Sequence, residues 1–135
     1  MKQKPTRGKG SELIVAGILI DAGLDVFLPI VDRGIDMVIQ IENKLCSVQV
    51  KSNQGYNRII GFGRLTDFLI IHYKHKGDKK DEFLYLTRDQ IEEHWLPESE
   101  FKDVVLKKED RERYKSQTIE SLAERLHEKR DLIRS

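Results

Sequence analysis

Apolar positions along this chain change period several times, and each change marks an element. Residues 1–9 hold no apolar run and read as a flexible arm. The stretch from about Ser11 to Ala22 predicts a helix, with Ser11 as its cap and Gly23 as a left-handed stop. Leu13, Ile14, Val15, Ile18, Leu19 and Ile20 surround nearly the whole cylinder, so this helix is expected to be mostly buried. The period then falls to two. "DVFLP" predicts a short strand ended by Pro29, "VDRG" a turn, and "IDMVIQI" a strand with Ile35, Met37, Ile39 and Ile41 alternating. Glu42-Asn43-Lys44 turns the chain into "LCSVQVK", and so short a connection means a hairpin.

Residues 53–66 mix glycines, aromatics and arginines and read as a loop with room for a short strand. "DFLIIHY" is an unbroken apolar strand expected inside the sheet, "HKGDKK" a charged turn, and "EFLYLT" a further strand. "RDQIEEHW" begins a helix that Pro97 stops, and Ile119, Leu122, Leu126 and Ile133 form one helical stripe beyond Ser116. No repeat or low-complexity segment interrupts this order. Helix, strands, then helices predict one α/β or α+β layer structure on a mixed sheet, with residues 10–135 as a single domain.

Composition narrows the class. With 135 residues, 39% hydrophobic and 35% charged, the chain can support one core without staples. Its one cysteine, Cys46, excludes an intramolecular disulfide and lies in an apolar run, as a buried, inert thiol does. No apolar stretch reaches the ~18 residues of a membrane span, and the basic N-terminus has no signal-like apolar core. A cytoplasmic protein without a membrane partner is expected. The net charge of +1 hides an asymmetry: thirteen Lys/Arg against eight Asp/Glu in residues 1–80, and eleven against fifteen in 81–135. The basic arm and the acid-free stretch from Lys51 to Arg64 suit phosphate backbones, or else a solubilising tail and a solvated loop.

Three polar positions stand out. Glu12 opens an otherwise apolar helix, where the positive end of the helix dipole also favours an acid. Asp36 stands at a strand entrance although Asp32-Arg33-Gly34 already supply the turn. Gln49 and Lys51 share one face of their strand, either as its solvated side or as half of a reaction centre. The hairpin brings Asp36 near them. An acid, an amide oxygen and the Val50 carbonyl can then converge on a hard cation such as Mg²⁺. A lysine facing the same cavity can orient or deprotonate a water, or neutralise charge on a phosphate.

Gly10-Ser11-Glu12 at a helix head, Gly23, Pro29, Gly34-x-Asp36 and Gln49-x-Lys51-Ser52 together resemble the PD-(D/E)XK nuclease superfamily. The likeness is to small single-domain members of the homing and Holliday-junction-resolving type. It implies a restriction-endonuclease-like α/β sandwich, a central mixed sheet flanked by helices. It also implies Mg²⁺-dependent hydrolysis of DNA phosphodiester bonds, with Mn²⁺ able to substitute. Asp36, Gln49 and the Val50 backbone oxygen would hold the metal, Glu12 would bind it directly or through water, and Lys51 would position the attacking water. Ile35 stands where the family has proline, and Gln49 where it has an acid, which removes one formal charge from the site. A fold of this kind that has become a non-catalytic DNA-binding or interaction module is the alternative.

The remaining signals are weaker. Tyr56, Arg58, Phe62 and Arg64 interleave aromatic and cationic groups in a loop that either tracks DNA or packs on its own aromatics, and Lys9 and Ser52 are expected to join Tyr56, Arg58 and Arg64 as DNA contacts. A domain with one site cuts two strands only as a pair, so a homodimer is expected, through the C-terminal helix or the basic loop. Gly61-Phe62-Gly63 lacks the context of a dinucleotide fingerprint, so no nucleotide cofactor is expected. His72, His75 and His94 lack zinc spacing and read as surface histidines. Glu109 to Lys115 reads as solvated surface.

Overall fold

The computed structural model describes residues 9–29, 34–53, 65–74, 80–98 and 103–134, the side chains of 9, 133 and 134 excepted. Helix α1 (Lys9–Asp21) starts earlier than its pattern predicts, so Ser11 lies within the first turn instead of capping it. Its end follows the sequence. Gly23 adopts φ 89°, and the Gly23 and Leu24 N–H groups donate to Ile20 O at 2.9 Å and Leu19 O at 3.1 Å. These paired bonds close the helix, and only a residue without Cβ takes that φ without strain.

Strands β1 (Asp25–Phe27), β2 (Met37–Ile41), β3 (Lys44–Asn53), β4 (Phe68–Tyr73) and β5 (Glu82–Thr87) form one sheet in chain order. β3 and β4 run parallel, and every other neighbouring pair is antiparallel. The β2–β3 connection is the expected hairpin, with Ile41 opposite Lys44. Glu42 enters it at φ 55°, and the Gln40 amide donates to the Glu42 carbonyl at 3.0 Å. The chain is therefore an α/β structure with a mixed five-stranded sheet flanked by helices.

Alternation sorts the strand side chains between two layers. On the first face Met37, Ile39, Cys46, Val48, Val50 and Ile70 pack with Val15, Ala16 and Leu19 of α1, and with Ile119, Leu122 and Leu126 of α4 (Ile119–Arg134). Ile133, the fourth position of that stripe, is outside the described side chains. On the second face Leu69, Ile71, Tyr73, Leu84 and Leu86 pack with Ile91 of α2 (Arg88–His94), and with Val104, Leu106 and Tyr114 beside α3 (Lys108–Arg113). Strand β4 feeds both cores and is buried throughout, as its unbroken apolar run requires. Among the described residues the second layer covers only half of its face. Phe27 and Leu45, which alternate onto it, remain 53% and 62% exposed.

Two expectations are corrected. Helix α1 is not mostly buried: Leu13, Ile14 and Ile20 stay 58%, 47% and 54% exposed. A helix lying on one sheet face buries a single stripe, however apolar its other side is. The run from Glu109 to Lys115 is not all solvated surface, because Tyr114 in it is 2% exposed. Its hydroxyl lies 2.7 Å from His94 Nε2, and the second core needs its ring to close over β4 and β5. Among the described residues no helix is long and apolar enough to cross a membrane.

Candidate active site

The hairpin register decides what meets Asp36. Met37 pairs with Val48, so Asp36 stands one step beyond the strand, level with the second half of β3. Its N–H continues the ladder, donating to Val48 O at 2.9 Å. Its carboxylate turns back across the pair, and Oδ2 accepts the Val50 N–H at 2.7 Å. That charge-assisted bond fixes the acid between the positions of Gln49 and Lys51, whose side chains alternate to either side of Val50 along the second face. The predicted grouping of Asp36 with Gln49, Val50 and Lys51 at one strand end is therefore present in the backbone register.

Gln49 is 4% exposed, and its Oε1 has no hydrogen-bond partner among the described residues. A buried amide acceptor left unpaired costs about 1–3 kcal/mol, so its position calls for a partner beyond the described side chains. Lys51 is half-buried and makes no ion pair among the described residues. Ser52, next along, is exposed. One strand over, Tyr73 faces the same layer opposite Asn53, and its hydroxyl also lacks a partner among the described residues. Burial pushes that hydroxyl up to about 12 from an ordinary 10.0, against the pull of Arg111, whose guanidinium lies 4.7 Å from the ring centroid. Tyr73 therefore stays an O–H donor at neutral pH.

Glu12 is half-buried in the first turn of α1, on the helix layer that covers the first face. It is thus held at the same end of the sheet as Gln49 and Lys51 but in the opposite layer. The tie is its neighbour. Ser11 Oγ lies 2.8 Å from His72 Nδ1, and His72 is paired with Ser52 across β3–β4. His72 Nε2 in turn lies 2.7 Å from Asp81 Oδ2, and the ring stacks on Phe83 with centroids 4.3 Å apart. An ionised Asp81 only accepts, so Nε2 carries the proton and Nδ1 accepts the Ser11 O–H in the neutral ring.

Reading His72 as a surface histidine is thereby corrected: it is 3% exposed and faces the first core. Its place in an apolar strand, in phase with Phe68 and Ile70, was the available signal. The row Ser11–His72–Asp81 has the composition of a nucleophilic triad. With Ser11 only 3% exposed, it acts as a clamp holding the head of α1, and Glu12 with it, over β4.

On the second face, half-buried Val38 and Gln40 separate this strand end from Phe27 and Leu45, which no described residue covers. Tyr56, Arg58, Arg64 and His75, together with the Lys9 side chain, lie outside the described residues. Among the described residues no group of three or more His, Cys, Asp and Glu side chains is placed to hold a metal ion. Any cation here would rely on amide and main-chain oxygens beside Asp36. The unpaired, buried Gln49 Oε1 next to an oriented carboxylate fits a hard divalent cation of that kind.

No family model and no curated protein matches this chain. Among solved structures, the bacterial homing endonuclease I-Ssp6803I is similar over 65% of this chain and 71% of its own, with TM-score 0.49 and 20% identity.

Proposed function

We propose that this protein is a PD-(D/E)XK-type, Mg²⁺-dependent endonuclease that hydrolyses phosphodiester bonds in duplex or branched DNA as a homodimer. The observation that supports the reading most directly is the buried Gln49 Oε1, unpaired among the described residues, beside the carboxylate that Val50 N–H orients. Asp36, Gln49 Oε1 and the Val50 carbonyl would hold the ion, with Glu12 contributing from the α1 layer. When bound, Mg²⁺ supplies charge stabilisation to the phosphate under attack. The rest of the chemistry belongs to the chain. Lys51, on the same face as Gln49, orients the attacking water and balances charge building on the phosphate. Tyr73 keeps its proton and offers a donor to the same layer. Ser52 and the uncovered half-face toward Phe27 give the backbone of a duplex room to approach.

The homodimer has its own support. Leu13, Ile14 and Ile20 leave an apolar stripe of α1 in water, and Leu132 on α4 is 75% exposed. Exposed apolar groups that lie along one helix face suit a contact surface. A single site with a partner copy also meets the need of two-strand cleavage.

The test is incubation of supercoiled plasmid and a synthetic four-way junction with Mg²⁺ or Mn²⁺, alongside the Lys51→Ala and Gln49→Leu variants. Cleavage by the wild type and its loss in Lys51→Ala support the reading. Absence of cleavage on both substrates, with salt-dependent DNA binding retained, would move the protein to the non-catalytic module that the missing acid at Gln49 favours. A metal readout without cleavage is the rise in melting temperature on adding Mn²⁺, expected in wild type and absent in Gln49→Leu.

A further inference from the structure

At the opposite end of β3 from Gln49, a cavity of about 200 Å³ opens between the sheet and α4. Four cationic side chains from separate parts of the chain line it: Lys44 at the start of β3, Arg88 after β5, and Arg125 with Lys129 on α4. The last two are four residues apart and share one helix face. Lys44, Arg125 and Lys129 make no ion pair among the described residues, and Arg88 has only an exposed i,i+4 pair with Glu92 at 3.7 Å.

Two acids reach the same cavity and offset half of this charge, but neither forms an ion pair with the four cations among the described residues. Asp67 is engaged elsewhere, its Oδ2 accepting the Ser47 N–H at 2.8 Å and the Ser47 hydroxyl at 3.2 Å. Asp89 opens α2, where the helix dipole favours it. Four cations against two acids leave a formal excess of two positive charges. The floor is Cys46, 3% exposed, whose thiol burial and Asp67 push up while Lys44 and Lys129 pull it down. Both ammonium groups therefore act on the cavity floor as well as on solvent.

All four cations are exposed to solvent, and a concave site lined by an excess of one sign of charge focuses the field and concentrates anions there. We infer that this cavity binds a single phosphate oxyanion, held by Arg88 and Arg125 with Lys44 and Lys129 supplying charge. Guanidinium forks match phosphate oxygens two at a time, and the volume suits one phosphate group, not a drug-sized ligand. The inference is independent of the chemistry proposed at Lys51, which lies at the other end of the strand.

The test is a titration of the ¹⁵N-labelled full chain with inorganic phosphate, followed by amide and arginine side-chain shifts, with chloride at equal ionic strength as control. Saturable shifts around Cys46, Phe68 and the Arg125–Lys129 face are expected, with affinity weakened about tenfold or more in Arg125→Ala/Lys129→Ala. Lys44→Gln, at an exposed hairpin end, gives a second and smaller loss, and the shifts expected around Cys46 and Phe68 are the readout of this cavity alone. A short DNA duplex in chelator separates the sources. If it displaces phosphate, the natural ligand is a phosphodiester backbone; if it does not, the ligand is a small phosphate compound, and either result keeps the site. Shifts that chloride reproduces, or equal affinity in the double variant, overturn it.

Discussion

Gln117 and Gln49 carry the same amide to two parts of the fold, and their side-chain oxygens meet different surroundings. At the β5 edge, Gln117 Nε2 donates to Tyr85 O at 2.7 Å, and its amide pairs with that of Gln90 at 2.9 Å. Its carbonyl accepts the Tyr85 N–H at 2.8 Å, so one residue stitches β5 to the start of α4 and to α2. On β3, Gln49 is more deeply buried and its Oε1 has no such partner among the described residues. A structural amide is recognisable because each neighbour needs it. A buried amide oxygen that no described side chain meets points to a partner beyond the described residues, such as a bound ion.

The comparison breaks most visibly at Lys51. Lys51→Ala is expected to lower DNA cleavage by ~10²–10⁴-fold, with folding free energy in urea unchanged to within ~0.5 kcal/mol. Comparable rates in variant and wild type would return Lys51 to the status of a surface charge. Gln117→Leu comes next. It leaves the Tyr85 carbonyl and the Gln90 Nε2 donor without these partners, while Gln90 Oε1 keeps the Thr87 N–H, and should destabilise the fold by about 2–3 kcal/mol in urea. A loss near zero would mean that the stitch is dispensable.

Gln49→Leu should act in the opposite direction. Without divalent metal, removing an unpaired buried amide is expected to raise stability by about 1 kcal/mol. A drop as large as that of Gln117→Leu would show that Gln49 is structural after all. Tyr73→Phe sharpens the contrast at the smallest scale. Near pH 7 the change should stay within ~0.5 kcal/mol, since the hydroxyl has no partner among the described residues. At high pH the two proteins diverge. The folded pKa of Tyr73 is raised to about 12 from 10.0, so its contribution is complete below pH 10 and lost as pH rises toward 12. Urea unfolding at stepped alkaline pH should show wild type losing more stability across that window than Tyr73→Phe.

Most elements were legible because their apolar periods are clean. Alternation at Met37, Ile39 and Ile41 defined β2, and the short Glu42–Asn43 link forced the hairpin that sets Asp36 beside Val50. The approximate meeting of Asp36, Gln49 and Lys51 was thus visible before any coordinates, since register follows from turn length. The depth of α1 was not. Apolarity all round a helix states what it can bury, whereas the number of layers around it states what it does bury. Leu13, Ile14 and Ile20 have only one sheet face beneath them. His72 escaped for a related reason. Its ring is at home in the core only because Ser11 and Asp81, 61 residues back and nine residues on, satisfy both nitrogens.

By itself the sequence determined the local elements, the β2–β3 hairpin and the row of polar groups along β3, because these depend on period and on connections of two or three residues. Tertiary structure alone decided the parallel pairing of β3 with β4, the layer from which Glu12 approaches, and the clamp at His72. It also gathered Lys44, Arg88, Arg125 and Lys129 around one cavity. Each of those facts joins residues far apart in the chain, and no local period encodes which distant partner will satisfy a charge or a buried polar atom.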